Sequence, residues 1–214
     1  MDEEITIIDT NTRLEKIKNF FYNNKKNLII CLSIMIILLV SYFTYDKTRE
    51  RNKIKLANQF NLILIEFDNK EKKETSNELS EIVNKQDVTY SPLALYFLLD
   101  NNLIEDKNEI NILFDVLIEN TKLEREMKNL IIYKKALFNS NFVNEIDLIK
   151  ILNPVINSES IWKSHGLYLL AEYFYSNNEK QKAKEFFLKI LTLSNANNDI
   201  KLEAQKRINR DLSE

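Results

Sequence analysis

The residues that could do chemistry are few and scattered. In 214 residues there is 1 His (His165), 1 Cys (Cys31) and 1 Gly (Gly166). A single imidazole builds no multi-histidine metal site, and a cysteine inside an apolar run offers no Cys–His pair. A phosphate-cradling loop needs several glycines, and Gly166 stands alone. Carboxylates do fall close together, as Glu145 with Asp147 and Glu105 with Asp106. Such pairs can move protons, but charged helix faces produce them everywhere, and acids near a helix start suit its dipole. The residues argue against an enzyme. They give no catalytic residue, cofactor site or metal site.

The elements around them are better marked. Residues 28–45, LIICLSIMIILLVSYFTY, carry no charge and no helix breaker, and they are fenced by Lys25-Lys26 and Asp46-Lys47. About eighteen residues rising ~1.5 Å each nearly span a ~30 Å hydrocarbon core. A cleaved signal needs a shorter run and small residues at the cleavage site, yet DKTRERNKIK follows Tyr45. A buried helix of a soluble domain would need comparably apolar partners to cover it, and none exists. A single uncleaved anchor is the expectation, with Tyr42 and Tyr45 at an interfacial position. The chain then divides into a short head (1–26), an anchor (27–46) and a helical domain (47–214). The head carries Arg13, Lys16, Lys18, Lys25 and Lys26, and the far flank Lys47, Arg49, Arg51, Lys53 and Lys55. Charge therefore leaves the topology open. The far-flank run either meets lipid headgroups or forms a solvated collar.

Composition points to an all-α chain. With 1 Gly and 2 Pro, hairpin turns are poorly supplied, while the abundant Asn can close helices in place of Gly. The net charge of -2 gives no global signal for nucleic acid. The lone cysteine forbids an intrachain disulfide. Thr12-Arg13-Leu14-Glu15 matches a capping box, with Leu14, Ile17, Phe20 and Phe21 at helical spacing behind it. The head is either a short interfacial helix or a disordered tail. Beyond the anchor, Ile54, Ala57, Phe60, Ile63, Leu64 and Phe67 extend a helical period without a break. Thr75-Ser76-Asn77-Glu78 is a second capping-box match. Ser91-Pro92 reads as an N-cap with Pro at the first helical position, and Asn153-Pro154 as a stop. Short amphipathic helices are expected throughout, the last three near 160–177, 179–194 and 199–212.

Antiparallel short helices call for a repeat search. In HGLYLLAEYFYSNNEKQKAKEFFLKIL, residues Leu167, Leu170, Ala171 and Phe174 face Ala183, Phe187 and Ile190. Small residues at facing positions let two helices approach, and aromatics fill the gap beyond. This unit looks like a tetratricopeptide repeat. Weaker units centre on Leu98 and Lys134, seventy-three and thirty-seven residues before Ala171, close to multiples of the ~34-residue period. In the Lys134 unit the small position is lost and Lys150 replaces an aromatic. In such stacks the first helix of each pair lines the concave face. His165, Tyr168, Glu172 and Tyr175 share one such face and form the candidate peptide-binding groove, unless the C-terminal helix covers it.

Taken together, Asp2-Glu3-Glu4-Ile5, the single anchor, the basic collar, Tyr90-Ser91-Pro92-Leu93-Ala94, Trp162 and the closing EAQKRINRDL resemble a known family. The chain looks like the bacterial inner-membrane tetratricopeptide-like proteins of the ancillary Sec-translocon subunit type, the YfgM-like family. The resemblance implies a cytoplasmic N-terminus, a periplasmic helical domain, and association with the translocon and periplasmic chaperones. The expected function is a membrane-anchored protein–protein interaction scaffold linking translocation to folding factors. A structural or self-associating component of another envelope complex is the alternative.

Overall fold

A computed structural model describes residues 2–212, with side chains from Leu14 to Leu212. The described chain is helical, 81% of it, with no strand. Nine α-helices follow in order: α1 (Asp2–Glu66), α2 (Lys72–Asn84), α3 (Tyr90–Asp100), α4 (Lys107–Asp115), α5 (Arg125–Asn139), α6 (Glu145–Ile156), α7 (Lys163–Ser176), α8 (Lys180–Thr192) and α9 (Asn198–Asp211). A 3-10 turn over Phe67–Asn69 closes α1, and a π turn over Val116–Asn120 closes α4. The chain divides into two units, Met1–Lys55 and Leu56–Glu214.

The first unit belongs to α1. Every residue from Ile29 to Tyr45 is exposed. Among the described residues, one helix is long and apolar enough to cross a membrane. The backbone is already helical before Thr12, so no helix begins at the first capping-box match; the side chains of Thr12 and Arg13 lie outside the described residues. No break separates the head from the span, and the head is not a helix of its own.

The second unit holds two core clusters. One gathers Leu56, Phe60 and Ile63 of α1 with α2, α3, α4 and Ile131 of α5. The other runs from Ala136 of α5 through α6, α7 and α8 to Ala204 and Leu212. Helices α2 and α3, α5 and α6, and α7 and α8 pack as hairpins; α5 also meets α7, and α7 meets α9.

The three hairpins share one register. In the last, Ala171, Ala183, Phe187 and Ile190 are all fully buried. The same steps of twelve, four and three residues pick out Ala136, Leu148, Leu152 and Val155 in the middle hairpin, also fully buried. In the first they pick out Leu79, Ser91, Leu95 and Leu98, each at most 1% exposed. The sequence expectation of Lys134 as the middle unit's reference position is therefore two residues off. The small residue is Ala136, and Ile146, twelve residues after Lys134, is 76% exposed. The first unit also shifts: Leu98 lies on the second helix of its hairpin, with α2 as its partner. Helix α4 with its π turn is then an insertion between hairpins, which moved the spacing off period.

Local signals explain the boundaries. Asn102 and Asn178 adopt the left-handed conformation, with φ of 49° and 64°. Each closes its helix by paired bonds, Leu103 N–H to Leu98 O and Asn102 N–H to Leu99 O after α3, Glu179 N–H to Phe174 O and Asn178 N–H to Tyr175 O after α7. Asparagine thus does the work usually given to glycine. Gly166 serves close approach instead: a Cβ there would lie 3.0 Å from Ile156 Cγ2 and 3.4 Å from Leu152 Cδ2.

Three expected boundaries differ. Helix α2 starts at Lys72, so Thr75 lies inside it, buried, donating to the Glu71 carbonyl. Ser91 is not an N-cap: its hydroxyl donates to Ile82 O at 2.7 Å and accepts from Asp87 N–H at 2.9 Å, tying α3 to α2. The Asp87 carboxylate takes the first free N–H groups, those of Thr89 and Tyr90, at 2.8 Å each. Helix α6 continues past Pro154 to Ile156, because proline this close to the end removes only one helical hydrogen bond while Val155 is buried.

Candidate functional site

The candidate face lies on α7, and the turn before that helix sets its entry. Glu126 of α5 accepts from Ser160 Oγ at 2.6 Å and from Ile161 N–H at 3.2 Å. The Ser160 hydroxyl, foremost among these contacts, holds the Glu126 carboxyl below its ordinary pKa. Ser160 Oγ in turn accepts from Trp162 N–H at 3.1 Å. Trp162 is thereby placed against Tyr133 of α5, stacked with ring centroids 6.0 Å apart. His165, one turn on, packs against both rings at 5.0 and 5.8 Å. Burial pushes the imidazole pKa below 6.5, opposed by the Ile161 carbonyl. Its Nδ1 is buried without a hydrogen-bond partner.

The other three candidate residues continue along the same face. Tyr168 sits edge-on to Phe187 at 5.4 Å, and burial, aided by the Glu172 carboxylate, pushes its phenol up to about 12. Glu172 forms a two-pronged pair with Arg207 of α9, both contacts 2.7 Å. The Arg207 guanidinium also lies 4.2 Å from the Tyr175 ring centre and bonds Asp211. Glu172 and Asp211 hold its proton more tightly than usual. The structure thus brings His165, Tyr168, Glu172 and Tyr175 onto one half-buried face, and α9 occupies its Glu172–Tyr175 end. The His165 end carries an aromatic cluster instead.

Tyr133 and Arg207 are the site residues that the sequence reading missed. A signal was present in the spacing. Glu126 to Ser160 spans 34 residues, Asn197 to Ser164 33, and Arg207 to Glu172 35. Each polar link joins segments two helices apart in the chain, α5 to the start of α7 or α7 to α9. Searching for charge and polar pairs at that separation finds them.

A separate cleft of about 580 Å³ borders the α4 insertion, lined by Glu105, Asp106, Asn108, Asn111, Asn139 and Phe142 among others. Asp106 is committed as the α4 N-cap. Asn111 and Asn139 exchange side-chain hydrogen bonds of 3.0 and 2.8 Å. Lys107 Nζ stands 3.9 Å over the Phe142 ring. Glu145, of the other acidic pair, is bound by Lys182 at 2.9 Å. Among the described residues, no group of three His, Cys, Asp or Glu side chains is placed to hold a metal.

The described residues define an all-helical fold with one helix long and apolar enough to cross a membrane and with polar links from α5 to the start of α7 and from α7 to α9. No family model, no curated protein and no solved structure matches the chain.

Proposed function

We propose that the chain is a membrane-anchored scaffold whose helical hairpins form a tetratricopeptide-like stack that binds other proteins. The shared buried register of the three hairpins carries this reading. Hairpins repeated in one register present repeated side chains along one face, and extended faces of that kind bind polypeptides. The other end of the α7 face, Tyr168 and then His165 beside Trp162 and Tyr133, is the binding surface, since Arg207 engages Glu172 and Tyr175. Tethering raises effective concentration, so modest contacts suffice. The sequence resemblance supplies the partners and the place: the Sec translocon and periplasmic chaperones, with the domain on the periplasmic side of a bacterial inner membrane. The alternative is a self-associating or assembly role in another envelope complex.

Cross-linking in intact cells with partner identification tests the proposal. Translocon or chaperone adducts are expected; self-adducts alone favour the alternative. His165→Ala with Tyr168→Ala lowers partner yield, and wild-type yield of every partner sinks the surface. Single cysteines at Ser158 and Asn11, probed with an impermeant thiol reagent, test the side: label at position 11 rather than 158 reverses the orientation.

A further inference from the structure

Residues 46–55 follow the apolar run directly on α1 and hold five cations, Lys47, Arg49, Arg51, Lys53 and Lys55, against two acids, Asp46 and Glu50. All are exposed. Not one of the five cations makes a hydrogen bond, ion pair or ring contact with any described residue. That is unlike three cations of the helical domain: Lys70 meets Glu66, Glu74 and Glu78, Lys182 meets Glu145 and Glu179, and Arg207 meets Glu172. The free charges are also not arranged as a stripe. At about 100° per residue, Lys47, Arg51 and Lys55 fall on one side of the helix, and Arg49 and Lys53 on the opposite side. A protein groove or a nucleic-acid backbone reads one side of a helix. An annulus of charge suits a ligand that surrounds the helix.

We infer that this collar is a binding site for anionic phospholipid headgroups. The inference rests on the membrane-anchored reading. Its geometry fits the layer just outside a span at 28–45. The headgroup zone is roughly 5–8 Å deep on each side of the core, and the collar rises about 12 Å at ~1.5 Å per residue. Long basic side chains bend back towards that zone along their apolar stems. At the boundary itself, Thr44 Oγ1 donates to Val40 O at 2.7 Å and Thr48 Oγ1 to Thr44 O at 2.8 Å. Those hydroxyls are satisfied within the helix, as an apolar or interfacial setting requires.

The full chain, reconstituted into phosphatidylcholine bilayers with trace spin-labelled lipid, gives the test. The measured quantity is the share of motionally restricted phosphatidylglycerol relative to phosphatidylcholine. The collar is expected to favour phosphatidylglycerol severalfold, with most of that preference lost in Lys47→Gln/Arg49→Gln/Arg51→Gln and at 0.5 M salt. The control Lys72→Gln/Lys73→Gln/Lys85→Gln removes as many exposed charges from the helical domain and retains the preference. Equal restriction of the two lipids by the wild type, or a collar variant with undiminished preference, overturns the inference. A photo-cross-linker at Asn52 that captures an acidic protein in place of lipid also overturns it. Failure of the anchor itself reads out differently, as protein released by alkaline carbonate before any lipid is compared.

Discussion

Residues 29–45 and the α7/α8 hairpin are built from similar apolar side chains with opposite fates. In the hairpin, Leu170, Phe174, Phe187 and Ile190 are at most 1% exposed. In the span, Ile36, Leu38 and Phe43 are 52–66% exposed. The difference is one of spacing. Apolar residues three and four apart leave a polar face for water and a stripe for a neighbour. An unbroken apolar run leaves no polar face, and hydrocarbon or other apolar surface must cover it. Charges follow the same division. Lys70, Lys182 and Arg207 of the helical domain find carboxylates, whereas Lys47, Arg49, Arg51, Lys53 and Lys55 find none among the described residues. One region is completed by its own sequence; the other is long and apolar enough to cross a membrane.

The strongest way to break this comparison is to make the span unfit for lipid. Ile34→Asp with Leu38→Asp costs roughly 6 kcal/mol on insertion scales. Carbonate extraction should then release the protein, with the thermal midpoint of the helical domain unchanged. A lower midpoint would mean that the two regions are not energetically separate. The converse substitution is Phe187→Ala, at the centre of the second core cluster. A loss of about 3–5 kcal/mol is expected in urea unfolding, with membrane retention intact.

Most of the fold was legible in the sequence where one helix carried its own signal. The apolar run, the helical classes and the last hairpin needed only local periodicity. Asparagine as a helix terminator was legible for the same reason. The middle hairpin was misread because its small residue, Ala136, is followed by the leucines Leu148 and Leu152 where the last hairpin has alanine and phenylalanine. The α4 insertion then hid the first hairpin from a fixed period. The candidate face was legible as a face of α7. What meets it was not, because Tyr133 and Arg207 reach it from other helices.

The revised register supplies the next test, of intermediate size. Ala136→Leu should overpack α5 against α6 and cost about 1–3 kcal/mol. Lys134→Leu should cost under about 1 kcal/mol, since it removes only a half-buried cation held 4.2 Å over Tyr96. Urea midpoints decide between the registers. If Lys134→Leu is the more damaging change, the original spacing was right and the shared register fails.

The smallest expected effect separates the regions by pH. His165 is the only histidine, and burial beside Tyr133 and Trp162 holds its pKa below 6.5. The unfolded chain therefore binds the proton first. Stability is complete above pH 6.5 and declines as pH falls from there towards the folded pKa. Glu126 and Asp211, both held below their ordinary values of 4.5 and 3.8, add losses only at lower pH. A shallow decline in the helical domain's thermal midpoint between pH 7 and 5.5 is thus assigned to one side chain. His165→Phe should flatten that decline and leave the acid limb below pH 4.5 in place. Membrane retention should not change across this interval. An unaltered slope in His165→Phe would show that the imidazole is solvated, and would open the α7 face more widely than its contacts with Tyr133 and Trp162 allow.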